Sequence, residues 1–176
     1  MVSLRSLDGS MEMVDQIAKI YGLVWHTYDP SIREKFLRHS TYPGYRGFLL
    51  INDQDEPIGF SYGYISLPGQ FYRGLLELSL EDEEIMKWLD DCFEFVELAI
   101  HPSHRKKGYG KLLLNKVLEG VNNKTAVLTT QVDNQPARTL YESFGWEVIK
   151  QPFTPFDENK PYVIMGKMLD QKSTIK

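Results

Sequence analysis

The stretch Phe95-Val96-Glu97-Leu98-Ala99-Ile100-His101-Pro102-Ser103-His104-Arg105-Lys106-Lys107-Gly108-Tyr109-Gly110-Lys111 decides the fold. Its first six residues are an apolar run broken by one glutamate, which reads as a buried strand. A basic loop with two glycines one residue apart follows, and a helical pattern begins at once. N–H groups at a helix start lack intrahelical partners and lie at the positive end of the helix dipole. Glycine lets a phosphate approach that backbone closely, and the Arg105 to Lys111 side chains add positive charge. The segment therefore reads as an anion site, most simply for a pyrophosphate. Because a G-x-G pair also serves an ordinary tight turn, the loop alone does not settle the function.

Outward from this stretch, the pattern predicts mixed α/β architecture. On its N-terminal side, Ser3 to Leu7 reads as a short strand. Asp8 or Ser10 can cap a helix running to about Gly22, and Asp29-Pro30-Ser31 starts a second helix. Gly47 to Ile51 and Ile58 to Leu67 form a hairpin around the Asn52 to Pro57 turn. The region Leu67 to Asp91 looks like an insertion, with Pro68-Gly69 as a turn and a capping-box pattern at Ser79 to Asp82. On the C-terminal side, Gly108 to Glu119 is an amphipathic helix with Leu112, Leu113, Val117 and Leu118 facing the core. A strand at Ala126 to Val132, a helix at Asn134 to Phe144 and a strand at Trp146 to Lys150 follow. Gln151 to Pro161 is a loop, and Tyr162 to Leu169 a last strand. The result is antiparallel hairpins at the ends and a βαβ unit in the middle.

Composition narrows the function classes. The chain has 176 residues, 42% of them hydrophobic, which suits one domain over residues 1–170 with a polar tail at 171–176. A net charge of −4 argues against a general nucleic-acid binder. Cys92 is the single cysteine, so no intramolecular disulfide or multi-cysteine metal site is possible, and a buried thiol is the expectation. The four histidines show no metal-ligand spacing. With no long apolar run and no signal-peptide core, the expectation is a cytoplasmic protein that uses neither a metal nor a membrane.

A second motif lies in the next βα unit, at Asn134-Gln135-Pro136-Ala137-Arg138-Thr139-Leu140-Tyr141-Glu142-Ser143-Phe144-Gly145-Trp146. Helical spacings of three, four and seven put Asn134, Ala137, Arg138 and Tyr141 on one face. That face offers an amide, a small residue, a cation and a phenol.

Together the loop Arg105-Lys106-Lys107-Gly108-Tyr109-Gly110 and the motif Asn134 to Trp146 resemble the GNAT superfamily of acyl-CoA-dependent N-acetyltransferases. The specific motifs cover about Phe93 to Lys150. The resemblance implies a central mixed sheet flanked by helices, with splayed strands forming an acyl-CoA cleft. It implies acetyl-CoA as co-substrate, with Arg105, Lys106, Lys107, Gly108, Tyr109, Gly110 and Lys111 around its pyrophosphate. Leu98, Ala99 and Ile100 would pair through their backbone with the pantetheine arm, which Asn134 would also hydrogen-bond. Ala137 would permit close approach, and Arg138 or the lysines would meet the 3′-phosphate. Tyr141 would protonate the leaving thiolate.

Acyl transfer to an amine needs a neutral amine, a polarised thioester carbonyl and a proton for the thiolate. A phenol suits the last task, since its reference pKa (~10) lies near that of a thiol (~8.5). Glu97 is the first choice for general base, because an unpaired buried carboxylate is costly and must find water, a partner or a proton. Glu94, His101 and bulk water remain rivals. The acceptor would be a primary amine on a small molecule or a peptide, with Trp25, Tyr28, Tyr62, Tyr64, Trp88 and Phe153 as candidate pocket residues. A monomer or homodimer fits equally. The alternatives are a non-catalytic acyl-CoA-binding module of the same fold, or an unrelated phosphate-binding domain. The second would need a Walker lysine–serine pair or a dinucleotide fingerprint, and neither is present.

Overall fold

A computed structural model describes residues 1–170, so the tail expected at 171–176 lies outside the described residues. The chain order is β1 (Ser3–Ser6), α1 (Met11–Trp25), α2 (Pro30–His39), β2 (Arg46–Ile51), β3 (Pro57–Ser66), α3 (Phe71–Ser79), α4 (Asp82–Trp88) and β4 (Cys92–Ile100). It continues with α5 (Tyr109–Leu118), β5 (Thr125–Gln131), α6 (Gln135–Ser143), β6 (Glu147–Phe153) and β7 (Tyr162–Met168). The seven strands form one mixed sheet in the order β1-β2-β3-β4-β5-β7-β6. β1, β2 and β3 pair antiparallel, as do β5, β7 and β6. β4 and β5 pair parallel, which requires a crossover connection, supplied by α5. The hairpins and the central βαβ unit are those the sequence predicts.

By its internal contacts the chain divides into two compact units. The first comprises residues 1–64 and 96–121, the second residues 65–95 and the chain from Asn122 onward.

In the first unit, Ser10 caps α1 by accepting from the Met13 N–H, and Asp29 caps α2 by accepting from the Ser31 N–H. Such caps contribute about 1 kcal/mol each. One core joins Val14, Ile17, Ile20 and Phe36 of the helices to Leu49, Phe60, Tyr62, Tyr64 and Ala99 of the strands. A second cluster places Leu113 and Tyr109 of α5 with Leu50, Ile58, Leu98 and Ile100. Alternate strand residues thus serve opposite faces, as the pleat dictates. Ile58 and Phe60 share a parity yet join different clusters, and a register shift at Leu50/Ile51 lies beside them.

Two expectations here need correction. α1 runs on to Trp25 and ends at His26 in a left-handed conformation; Gly22 is an interior residue. A Cβ there would fall 2.6 Å from the Tyr28 ring, so the glycine serves packing rather than termination. On α5, Leu112 is exposed, and Leu114 is buried with Leu113 and Val117.

In the second unit, the α3 and α4 side of the sheet buries Leu76, Leu80, Trp88, Leu89, Cys92, Val127, Phe153 and Ile164 together. Phe95 meets Tyr141 of α6 and Trp146 at centroid distances of 6.2 and 6.3 Å. Helix α3 was not expected, since Gly74 interrupts its apolar pattern. Ser79 therefore ends α3 instead of capping α4, and its hydroxyl donates to the Leu76 carbonyl. The capping box is formed two residues later by Glu81 and Glu84. β6 extends through Pro152 to Phe153, past the predicted end at Lys150. As a sheet edge it tolerates the missing N–H and carries two register shifts.

His39 is buried in the first unit among Tyr42, Tyr62 and Tyr64, with Nδ1 2.8 Å from the Tyr62 hydroxyl. Burial, together with the positive charges of Lys35 and Arg38, lowers its pKa to about 3. A depressed folded-state value favours folding above the free value of about 6.5, and that contribution is lost as pH falls toward 3. His39→Gln keeps a neutral polar group and removes this dependence. Urea unfolding from pH 6.5 to pH 4 should show the variant losing less stability than the wild type, by up to ~1.4 kcal/mol per pH unit.

Candidate active site

The first unit carries the loop and its strand. His101 follows β4, with its N–H donating to the Ile58 carbonyl at 2.8 Å. Its Nδ1 accepts from the Ser103 N–H at 3.2 Å and lies 2.7 Å from the Ser103 hydroxyl, capping a short 3₁₀ turn over Pro102–His104. That ring nitrogen is already committed. Arg105 Nε donates to the Ile100 carbonyl at 3.3 Å. Lys106 and Gly108 both take left-handed conformations, with φ of 61° and 81°. A Lys with positive φ is strained, and alternating hands along a turn gather successive N–H groups into an anion-binding concavity. Gly108 is the N-cap of α5 and has no side chain with which to cap it. Arg105, Lys106, Lys107 and Gly108 are exposed. The loop residues thus fit a pyrophosphate by backbone geometry, dipole and charge.

Glu97 lies on β4 in the same unit. Its Oε1 accepts from Lys35 Nζ of α2 at 3.0 Å, and its carbonyl accepts from the Ser61 hydroxyl at 2.7 Å. The two charged side chains are 14% and 28% exposed, so the pair is largely removed from water. Leu98, Ala99 and Ile100 continue the strand, with Ala99 buried and the other two half-buried.

The second unit carries the α6 face. Asn134 is the N-cap of α6, and its Oδ1 accepts from the Ala137 N–H at 3.3 Å. Arg138 donates to the Val132 carbonyl at 3.0 Å, tying helix to strand. Asn134, Ala137 and Arg138 are half-buried and Tyr141 is buried, so these four form the less exposed face, as the helical spacing predicts. Tyr141 packs against Phe95 and Trp146. Gln131, Val132, Asp133, Asn159, Lys160 and Pro161 line a cavity of about 340 Å³ that continues from this turn.

Among the proposed acceptor residues, Tyr62, Tyr64, Trp88 and Phe153 are buried core, whereas Trp25 and Tyr28 are exposed. Cys92 is buried and unpaired, with burial and then Glu94 pushing its thiol to about 12. It is no nucleophile at neutral pH. Lys35 carries no motif in the sequence. Only its long-range meeting with Glu97 reveals it, although its place beside the core residue Phe36 on one helix was a weak signal.

Glu94 occupies a different environment in the second unit. It is buried on β4, and among the described residues its Oε2 and the nearby Ser66 hydroxyl both lack hydrogen-bond partners. Burial raises its pKa to about 7 against the opposing pull of Ser66 and Arg73. The Arg73 guanidinium is committed elsewhere, to the Ser66 carbonyl and Glu77.

A family model described as the acetyltransferase (GNAT) family matches residues 11–146. The chain belongs to the acetyltransferase (GNAT) family, as the two motifs implied. It is 27% identical over 120 residues to the GCN5-like protein acetyltransferase Rv2170 of Mycobacterium tuberculosis, a match covering 64% of this chain. The match covers 58% of that relative's length. Solved structures share the fold. The ribosomal-protein-S18-alanine N-acetyltransferase from Escherichia coli has a TM-score of 0.70 at 16% identity, covering 100% of this chain and 99% of that one. NAA60 of Arabidopsis thaliana, in complex with a bisubstrate analogue, has a TM-score of 0.69 at 14% identity, covering 98% and 100%. The spermidine/spermine N-acetyltransferase SpeG of Vibrio cholerae has a TM-score of 0.62 at 18% identity, covering 96% and 95%.

For Glu94, a folded-state pKa raised above the usual 4.5 favours folding below that value. The contribution is lost as pH rises through about 7. This slope opposes that of His39, so the two partly cancel in the wild type near pH 5 to 6. Glu94→Gln should expose the difference. Relative to wild type, its stability in urea should improve from pH 4.5 to pH 8, by up to ~1.4 kcal/mol per pH unit within the titration range.

Proposed function

We propose that this chain transfers an acetyl group from acetyl-CoA to a primary amine by direct attack in a ternary complex. Acetyl transfer is the general chemistry of its family, which generally uses acetyl-CoA as co-substrate. The observation that carries the reading is the β4–α5 turn. Two left-handed residues, three exposed basic side chains and an uncapped helix start coincide within four residues. The N-cap Gly108 has no side chain to offer that helix end, and a pyrophosphate would satisfy it.

In this reading the Arg105 to Lys111 loop grips the pyrophosphate. The backbone of Leu98, Ala99 and Ile100 aligns the pantetheine arm, Asn134 hydrogen-bonds it, and Ala137 leaves room for it. Arg138 or the loop lysines contribute charge near the 3′-phosphate end. A strand N–H polarises the thioester carbonyl. The amine nitrogen forms its bond to the acetyl carbon as the carbon–sulfur bond breaks. Glu97 takes the amine proton, directly or through water, and the Tyr141 hydroxyl gives a proton to the thiolate. No covalent enzyme intermediate is needed, which agrees with a thiol as inert as that of Cys92.

Glu94 is the second candidate base, because a value of about 7 suits proton removal at neutral pH. Its burial and its position on the strand face packed by α3 and α4 favour a structural role. The acceptor is a cationic small molecule or the amino end of a peptide, and the whole acts as one acetyltransferase domain, either as a monomer or as a homodimer.

The test is thiol release from acetyl-CoA over a panel containing spermidine, peptides with free N-terminal alanine or methionine, and Nα-acetyl-lysine. Wild type should turn over at least one of them. Tyr141→Phe should lower kcat by about 10²-fold or more while leaving acetyl-CoA affinity within about twofold. Glu97→Gln should suppress kcat at neutral pH to a similar degree. Unchanged turnover in Tyr141→Phe removes the phenol as the acid. Binding of acetyl-CoA with no turnover on any amine supports a non-catalytic binding module.

A further inference from the structure

We propose that Lys35 is a positioning residue for proton removal, fixing and counter-charging the Glu97 carboxylate from across the core of the first unit. The inference rests on the reading of Glu97 as general base. Three elements converge on one ammonium. Lys35 Nζ, from α2, donates to Glu97 Oε1 on β4 at 3.0 Å. It also stands 4.8 Å from the Tyr21 ring centroid of α1 and 5.1 Å from that of Phe36. Both distances are within the range of cation–π attraction. The Glu97 backbone is anchored independently by the Ser61 hydroxyl of β3 at 2.7 Å.

A base must be held and yet be reachable. Lys35 engages Oε1 of the carboxylate at 3.0 Å. The Glu97 side chain keeps 14% exposure, so water or an amine can still reach it. A surface ion pair would contribute little and hold nothing in place. This one is largely out of water, where removing either member leaves the other uncompensated.

The surrounding titratable groups keep the counter-charge constant. Burial alone would favour a neutral Lys35, but Glu97 and then Tyr21 outweigh it and raise its pKa above the ordinary lysine value. His39 on α2 stays neutral at working pH because burial and nearby positive charge depress it to about 3. Tyr62 on β3 is pushed well above its usual range by burial and by the Glu97 charge, so it stays neutral too. Arg38 adds a fixed positive charge on the same helix. Within the neutral range Lys35 neither gains nor loses its proton. Its role is therefore to hold the base, and Glu97 exchanges the proton.

Two measurements test this. The first is the pH dependence of kcat for wild type, Lys35→Met and Lys35→Arg, with the fastest amine of the panel above. Lys35→Met should move the acid limb of kcat upward by about one pH unit, lower kcat at pH 7 several-fold and leave the KM for acetyl-CoA unchanged. Lys35→Arg should restore most of both. The second needs no turnover and no Lys35 variant to fold. In Glu97→Gln labelled with 13C at lysine Cε, the Lys35 signal should titrate at lower pH than in wild type. An unmoved acid limb in Lys35→Met, or an unmoved Lys35 signal in Glu97→Gln, overturns the proposal. Full turnover in Glu97→Gln instead overturns the reading of Glu97 as base, and this proposal with it.

Discussion

The parallel pairing of β4 with β5 is the constraint from which the rest of the structure follows. Parallel neighbours cannot be joined by a tight turn and need a crossover. The crossover here is α5, so the chain must pass from the end of β4 into a helix within eight residues, His101 to Gly108. That passage is made with Lys106 and Gly108 in left-handed conformations, which puts a glycine with no capping side chain at the N-cap of α5. An anion-binding turn is thus the by-product of a topological requirement. The ladder that imposes it is short: Cys92, Phe93 and Glu94 pair with Thr125, Ala126 and Val127. β4 also neighbours β3, where the Ser61 hydroxyl donates to the Glu97 carbonyl and the His101 N–H to the Ile58 carbonyl.

Buried ionisable groups in this chain meet three different fates. His39 loses its charge and accepts a place among tyrosine rings. Glu94 is driven toward the neutral acid by burial, which outweighs the opposing pull of Ser66 and Arg73. Glu97 instead meets a cation, Lys35, brought from helix α2. Glu94 belongs to the second unit and Glu97 to the first. Their chemistry differs because the surroundings within each unit differ. Glu94 shares the α3 and α4 side with Cys92, and Glu97 shares the α1 and α2 side with Ala99.

Much of this was legible in the residues. The strand–loop–helix passage at Phe95 to Lys111 and the Asn134 to Tyr141 face are local patterns, and local geometry is what sequence periodicity encodes. What escaped was non-local or locally ambiguous. Helix α3 was obscured by Gly74, and its existence is decided by burial of Leu76 and Arg73 against the sheet. Gly22 resembled a helix end because the Tyr28 ring that demands it lies beyond the helix. Pro152 resembled a loop because only an edge strand admits it, and edge position depends on the whole sheet. Aromatics such as Tyr62 and Trp88 suited a pocket and a core equally until burial assigned them to the core. The Lys35–Glu97 pair spans sixty-two positions, and no spacing rule reaches that far.

The central claim is that the β4–α5 turn holds the pyrophosphate of coenzyme A. It is tested most directly by backbone amide NMR of the 15N-labelled chain titrated with coenzyme A, and in parallel with inorganic pyrophosphate. The account predicts saturable shifts in both titrations, largest at the amides of residues 105–111, with coenzyme A alone extending them to residues 98–100 and 134–141. Saturable binding whose largest shifts lie outside residues 105–111, or no binding of coenzyme A, would contradict it.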